Sequence, residues 1–210
     1  MAFSPQTLEF LGQAPFEDRA WLKANRARYE EQVLAPQKAL VAELAPYITT
    51  LAPGLEGVAS RIYRDARFQR GGPSLRGNIW ITFHDRSLDP GERPGFFFEL
   101  YPDRYRYGMG FYQASREKAD RIRAAIDADP QRFARVVAAL PESYELMGDL
   151  YKKSRAGHLP ERLRSWYDRK TFWIQVQRPN DDLVLGPGLA EHLRREWGDC
   201  AELYQYIVQA

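Results

Sequence analysis

At 210 residues, with 44% apolar and 28% charged side chains, the chain has the make-up of a folded globular domain. A net charge of +2, from 30 basic and 28 acidic residues, excludes a uniformly cationic polyanion binder, so any anion site must be a local patch. A single cysteine, Cys200, excludes an internal disulfide and a cysteine zinc site, and no apolar run approaches a membrane span.

Ser4-Pro5 is a helix start, a hydroxyl cap followed by proline at the first helical position, and predicts a short helix over Thr7–Leu11. Phe16, Trp21, Leu22, Tyr29, Val33, Leu40, Val41, Leu44 and Ile48 then recur at three- and four-residue steps, which predicts a longer helix with one apolar stripe. Pro36 is expected to break or kink it, and Pro53-Gly54 to end it. From Val58 to about Tyr112 the period changes to that of strands. Residues 78–84 alternate, with Ile79, Ile81 and Phe83 on one side and Asn78, Trp80, Thr82 and His84 on the other. Residues 95–101 and 104–112 read as two more strands joined by a Pro102-Asp103 turn, and such short connections imply antiparallel hairpins.

Ser115 caps a helix with Ala119, Ile122 and Ile126 inward. Asp129-Pro130 starts another, carrying Phe133, Val136, Val137 and Leu140 and stopped by Pro141. Leu159-Pro160 opens a short helix to about Tyr167, and residues 171–177 form a strand. Leu189, Leu193, Trp197, Cys200, Leu203, Tyr204 and Ile207 mark an amphipathic C-terminal helix. Helices before and after a central run of strands give the expected fold. It is a single α+β domain over residues 1–210, with a mainly antiparallel central sheet packed against N-terminal, middle and C-terminal helices.

Chemistry concentrates in residues 61–76, where five arginines and one aspartate end in a Gly71-Gly72-Pro73 break. Guanidinium groups are planar, permanently charged forks suited to carboxylate and phosphate oxygens. If residues 58–68 are extended, Arg61, Tyr63, Asp65 and Arg67 share one face, while Arg64 falls on the apolar side with Ile62. By the same parity Trp80 and His84 share a polar face. Arg61, Tyr63, Arg64, Arg67, Arg76, Trp80 and His84 are therefore the candidate ligand-binding residues: cations for an anion, rings for stacking, and an imidazole able to carry a proton. The competing structural role is that Asp65 pairs with Arg61 or Arg67 and fixes the loop.

A second basic set comprises Lys152, Lys153, Arg155, His158, Arg162, Arg164, Arg169 and Lys170. Gly108-Met-Gly110 resembles a phosphate-binding turn but lacks the third glycine. His84, His158 and His192 lack ligand-like spacing, so neither a metal nor a cofactor is implied.

These residues resemble a known family. Thr7 to Leu11, Trp21 to Asn25, Tyr29-Glu30 and above all Arg61-Ile-Tyr-Arg64-Asp65-Ala-Arg67-Phe68 are similar to the family catalogued as domain of unknown function 2461, found in bacteria and fungi. Gly108 to Tyr112, Ile122-Arg123 with Ile126, and the stretch from Lys152-Lys153 to Arg169-Lys170-Thr-Phe172 extend the resemblance over most of the chain. Members continue with a Lys-Asp-Lys-x-Pro-Tyr-Lys loop. Here Arg70 and Arg76 keep the charge, whereas Gly72 replaces a lysine and Leu75 the tyrosine. The resemblance implies an α+β domain and supplies no activity.

The leading expectation is a cytoplasmic protein with an arginine-lined groove for a phosphorylated or carboxylated small molecule. One alternative is a nucleic-acid binder that adds the Lys152–Lys170 region. The other is an enzyme with His84 or Asp65 as proton carrier. The N-terminus lacks the basic and apolar regions of a signal peptide, and no membrane partner is expected. Nothing in the sequence sets the oligomeric state.

Overall fold

The computed structural model describes residues 2–64, 73–89 and 91–210. The first helix, α1 (Pro5–Gln13), begins as Ser4-Pro5 predicts. Ser4 Oγ accepts from the Thr7 N–H, and the Thr7 hydroxyl accepts from the Ser4 N–H at 3.1 Å. A nearly continuous helical stretch follows: α2 (Arg19–Ala24), α3 (Arg26–Tyr29), a π-helical turn (Glu30–Leu34) and α4 (Ala35–Leu51).

Pro36 does not break this stretch. Lacking an N–H, it leaves the Gln32 carbonyl without its α-helical donor. The chain widens into the π turn just before it, where the Ala35 N–H donates to the Glu30 carbonyl. The buried Thr7 hydroxyl supplies Gln32 with a donor from outside, at 2.6 Å. The stripe expected along this region is largely buried, but Phe16 is 88% exposed, because residues 14–16 form a separate 3₁₀ turn. Gly54, at φ 89°, adopts the left-handed conformation that turns the chain out of α4.

The strands β1 (Glu56–Ala59), β2 (Ile79–His84), β3 (Gly95–Leu100), β4 (Arg104–Gly110), β5 (Glu145–Met147) and β6 (Trp173–Pro179) form one antiparallel sheet of order β1-β2-β3-β4-β6-β5. The fold class is α+β, as the order of periods in the sequence implies. The alternation along β2 holds, with Ile79, Ile81 and Phe83 buried and the residues between them half-buried. One expectation needs correction. The strand read over residues 58–68 stops at Ala59, because Ser60 turns inward and its hydroxyl accepts from the Trp80 N–H at 2.9 Å. The short β5 carries too few residues to show a period.

Between the strands lie α5 (Arg116–Ala128), capped by Ser115, α6 (Pro130–Ala138), capped by Asp129, and α7 (Glu161–Tyr167). The C-terminal helix is two: α8 (Leu189–Asp199) and α9 (Ala201–Gln209) meet at Cys200. No helix among the described residues is long and apolar enough to cross a membrane.

The chain divides into two compact units. The first (Met1–Phe83, Phe97–Tyr107, Gln177–Arg194) has Phe10, Leu44, Ile48, Ile81 and Phe98 fully buried or nearly so. In it, buried His192 shares a 2.9 Å hydrogen bond with the Tyr107 hydroxyl. The second (His84–Phe96, Gly108–Val176, Arg195–Ala210) centres on Phe96 packed against Trp197 and Tyr204, at ring separations of 5.5 and 5.3 Å.

Candidate functional site

In the first unit, residues 62–64 and 74–76 run as two short antiparallel arms. Tyr63 bridges Leu75, the Arg64 N–H donates to the Ser74 carbonyl at 3.0 Å, and the Arg76 N–H donates to the Ile62 carbonyl at 2.9 Å. The arms are anchored by Ile62 and Leu75, both fully buried. Around buried Ile62, Arg61 and Tyr63 face outward, and Arg64 is exposed as well. Arg64, next along the arm from Tyr63, has its side chain in solvent, as an arginine reaching out at an edge would.

Arg76 ties the arms to the sheet. Its Nε donates to the Tyr63 carbonyl at 3.2 Å, and its guanidinium lies 4.5 Å from the centre of the Trp80 ring. Arg19 approaches the Tyr63 ring at 5.8 Å. Tyr29, which the sequence reading treated only as core, lies beside Ile62 and Tyr63. Burial raises its hydroxyl above the ordinary range, opposed by a hydrogen bond from the Ile62 backbone.

Several arginines elsewhere face carboxylates: Arg93 meets Asp85 at 2.9 Å, Arg121 meets Glu92 at 2.8 Å and Arg178 meets Asp181 at 2.9 Å. On the outer face of β3, Glu99 accepts from Asn78, from the Tyr101 hydroxyl at 2.8 Å and from Arg106 Nε at 2.6 Å. Arg61, Arg64 and Arg76 take no carboxylate partner among the described residues. Of the other predicted site residues, His84 ends β2 half-buried on the same face as Trp80, while Arg67, like Asp65, lies outside the described residues.

The second unit holds a cavity of about 320 Å³, lined by Ala114, Arg116, Asp120, Tyr151, Arg155 and Lys170. Its floor is set by two paired segments. The Tyr151 N–H donates to the Asp168 carbonyl and the Lys170 N–H to the Asp149 carbonyl, both at 2.8 Å. Arg155 is fixed through its backbone, which donates to the Asp168 carboxylate at 2.9 Å. Arg123, buried on α5, donates to the Tyr151 hydroxyl at 2.9 Å and to Asp120 at 3.0 Å. The Tyr151 ring is thus approached by Arg123, Arg155 and Lys170 at 5.0, 5.5 and 5.8 Å.

Two members of the second basic set, Arg155 and Lys170, reach this cavity. Arg169 instead staples the backbone, donating to the carbonyls of Gly148 and Leu146, and burial lowers its pKa. His158 pairs with Asp127 at 2.8 Å, and Lys152, Lys153 and Arg162 lie exposed on the surface. The sequence reading missed Arg116, Asp120 and Arg123. Their three- and four-residue spacing on one helix was a usable signal.

Gly108 and Gly110 do not form a phosphate turn. A Cβ at Gly108 would overlap the Ile174 carbonyl, so the residue permits close approach of the β6 backbone. Among the described residues no group of three or more His, Cys, Asp and Glu side chains gathers to hold a metal ion.

No curated protein matches the chain. A family model does, over residues 6–206, and its description is a conserved hypothetical protein, DUF2461. That match takes in both arms of the arginine patch and every residue lining the cavity, and the chain belongs to this family.

Proposed function

We propose that the protein is a cytoplasmic binder of an anionic small molecule, phosphorylated or carboxylated, held at the arm pair by Arg61, Arg64 and Arg76 with Tyr63 and Trp80 alongside. The observation that carries this reading is the gathering of three arginines at one arm pair with no carboxylate partner among the described residues. Arg76 resting on Trp80 holds one guanidinium in place without spending its outer donors. Each charge-assisted hydrogen bond to an anion contributes about 1.5–3 kcal/mol before the cost of ordering exposed side chains, so two or three of them support binding in the micromolar to millimolar range.

Thermal-shift screening of the full chain against nucleotides, sugar phosphates, dicarboxylates and short nucleic acids, at two salt concentrations, tests it. A small anion should raise the melting temperature, and Arg61→Gln/Arg64→Gln/Arg76→Gln should abolish that shift. No shift with any small anion at millimolar concentration refutes the reading. So does a shift confined to nucleic acid and lost steeply with salt, which would favour the polyanion alternative.

A further inference from the structure

We infer that the Tyr151 cavity is a second, separate anion site, shaped for a small phosphate monoester. Three cations, Arg116, Arg155 and Lys170, line it with one carboxylate, Asp120, and a fourth, Arg123, reaches the Tyr151 ring from α5. Asp120 is already engaged, with Arg123 at 3.0 Å and Arg116 at 3.8 Å. Arg155 and Lys170 have no carboxylate partner among the described residues, and their side chains converge on one ring from two separate segments.

Like charges crowded round a single ring repel one another, and a bound anion relieves that repulsion. A monoester near neutral pH carries about 1.5 to 2 negative charges on three terminal oxygens, whereas a carboxylate offers one charge and two oxygens. Three cations arriving from α5, the residue 151–155 segment and Lys170 match three oxygens better than two. The Tyr151 ring supplies an apolar wall for the esterified group. Its hydroxyl is held by Arg123, so the ring is in place before any ligand arrives.

Size sets the ligand class. About 320 Å³ is near the lower end of ligand-pocket volumes and admits a small phosphorylated molecule. The lone acidic side chain gives the site a signature of its own. Removing Asp120's charge should strengthen anion binding, while removing Arg155's and Lys170's should weaken it.

Calorimetric titration of the full chain with phenyl phosphate, benzoate, inorganic phosphate and a short oligonucleotide tests the site, in an Arg61→Gln/Arg64→Gln/Arg76→Gln background that removes the other anion patch. Phenyl phosphate should still bind. Arg155→Gln/Lys170→Gln should weaken it about tenfold, as expected for the loss of two partly screened ion pairs. Asp120→Asn should tighten it several-fold, a gain that misfolding cannot mimic. Benzoate should bind about tenfold more weakly than phenyl phosphate, for want of one charge and one oxygen. Equal affinity for phenyl phosphate and benzoate, indifference to both sets of substitutions, or binding of the oligonucleotide alone would each overturn the assignment.

Discussion

Thr7→Val removes one oxygen and almost no volume, yet it should be among the more damaging surface-distant substitutions in the first unit. Thr7 is fully buried. Its hydroxyl donates to the Gln32 carbonyl at 2.6 Å and accepts from the Ser4 N–H at 3.1 Å. Stranding a part-buried carbonyl costs about 1–3 kcal/mol, and losing half of a capping box costs about 0.5–1 kcal/mol. The combined loss of about 1.5–4 kcal/mol corresponds to a fall in melting temperature of roughly 3–15 °C for a chain of this size.

Urea unfolding followed by circular dichroism measures the cost directly. The decisive comparison is a double-mutant cycle with Pro36→Ala. That substitution restores an N–H opposite Gln32, so the carbonyl no longer depends on Thr7. The cost of Thr7→Val should then drop by about 1 kcal/mol or more. A cost below about 0.5 kcal/mol in the parent chain, or an identical cost in both backgrounds, would refute the coupling between Thr7 and the proline.

Asp85 is held below the ordinary carboxylate range, first by the Ser87 hydroxyl at 2.6 Å and then by Arg93 at 2.9 Å. A depressed native pKa contributes stability above the unfolded value of about 3.9 and loses it as pH falls through the native value, so Asp85→Asn should make the acid loss of stability shallower. Urea midpoints taken down the acid limb check this, and parallel curves for both proteins would contradict it. Burial pushes the Cys200 thiol up to about 12, and the residue is fully buried. Labelling by a disulfide reagent at mildly alkaline pH should therefore wait on unfolding, and rapid reaction of the native protein would show otherwise. At Gly108 an added Cβ would overlap the Ile174 carbonyl and lie 3.0 Å from Gln175 Cα, both backbone atoms that cannot swing aside. Gly108→Ala should cost about 1–3 kcal/mol in a thermal melt, and an unchanged melting temperature would argue against close strand approach as its role.

Local signals in the sequence were reliable where one element carries the whole message. Ser4, Ser115 and Asp129 announce their helices because a cap acts on the next turn alone. The alternation in β2 and the stripe through Leu189 to Ile207 are legible for the same reason. What failed depends on partners distant in sequence. Strand parity past Ala59 broke because Ser60 answers to Trp80, twenty residues away. Pro36 disturbs the helix only as far as a π turn, because the donor that relieves Gln32 lies on another helix. The arginine run marked a place to look, yet Trp80 as the seat of Arg76 came only from folding. The Tyr151 cavity joins α5 to a region with no clear period, so its cations could be counted in sequence but not assembled.

The widespread pairing of arginine with carboxylate bears on how fast the proposed anion would arrive. Each pair is a short dipole whose field dies within a few ångströms, and the whole chain carries only +2. At physiological ionic strength the Debye length is about 8 Å, so an incoming anion feels little pull until it is almost touching Arg61 or Arg64. Encounter should then proceed at an ordinary diffusional rate, with little of the acceleration that a strongly cationic protein enjoys. Added salt should act mainly on residence time, shortening the stay of a bound anion far more than it delays the next arrival.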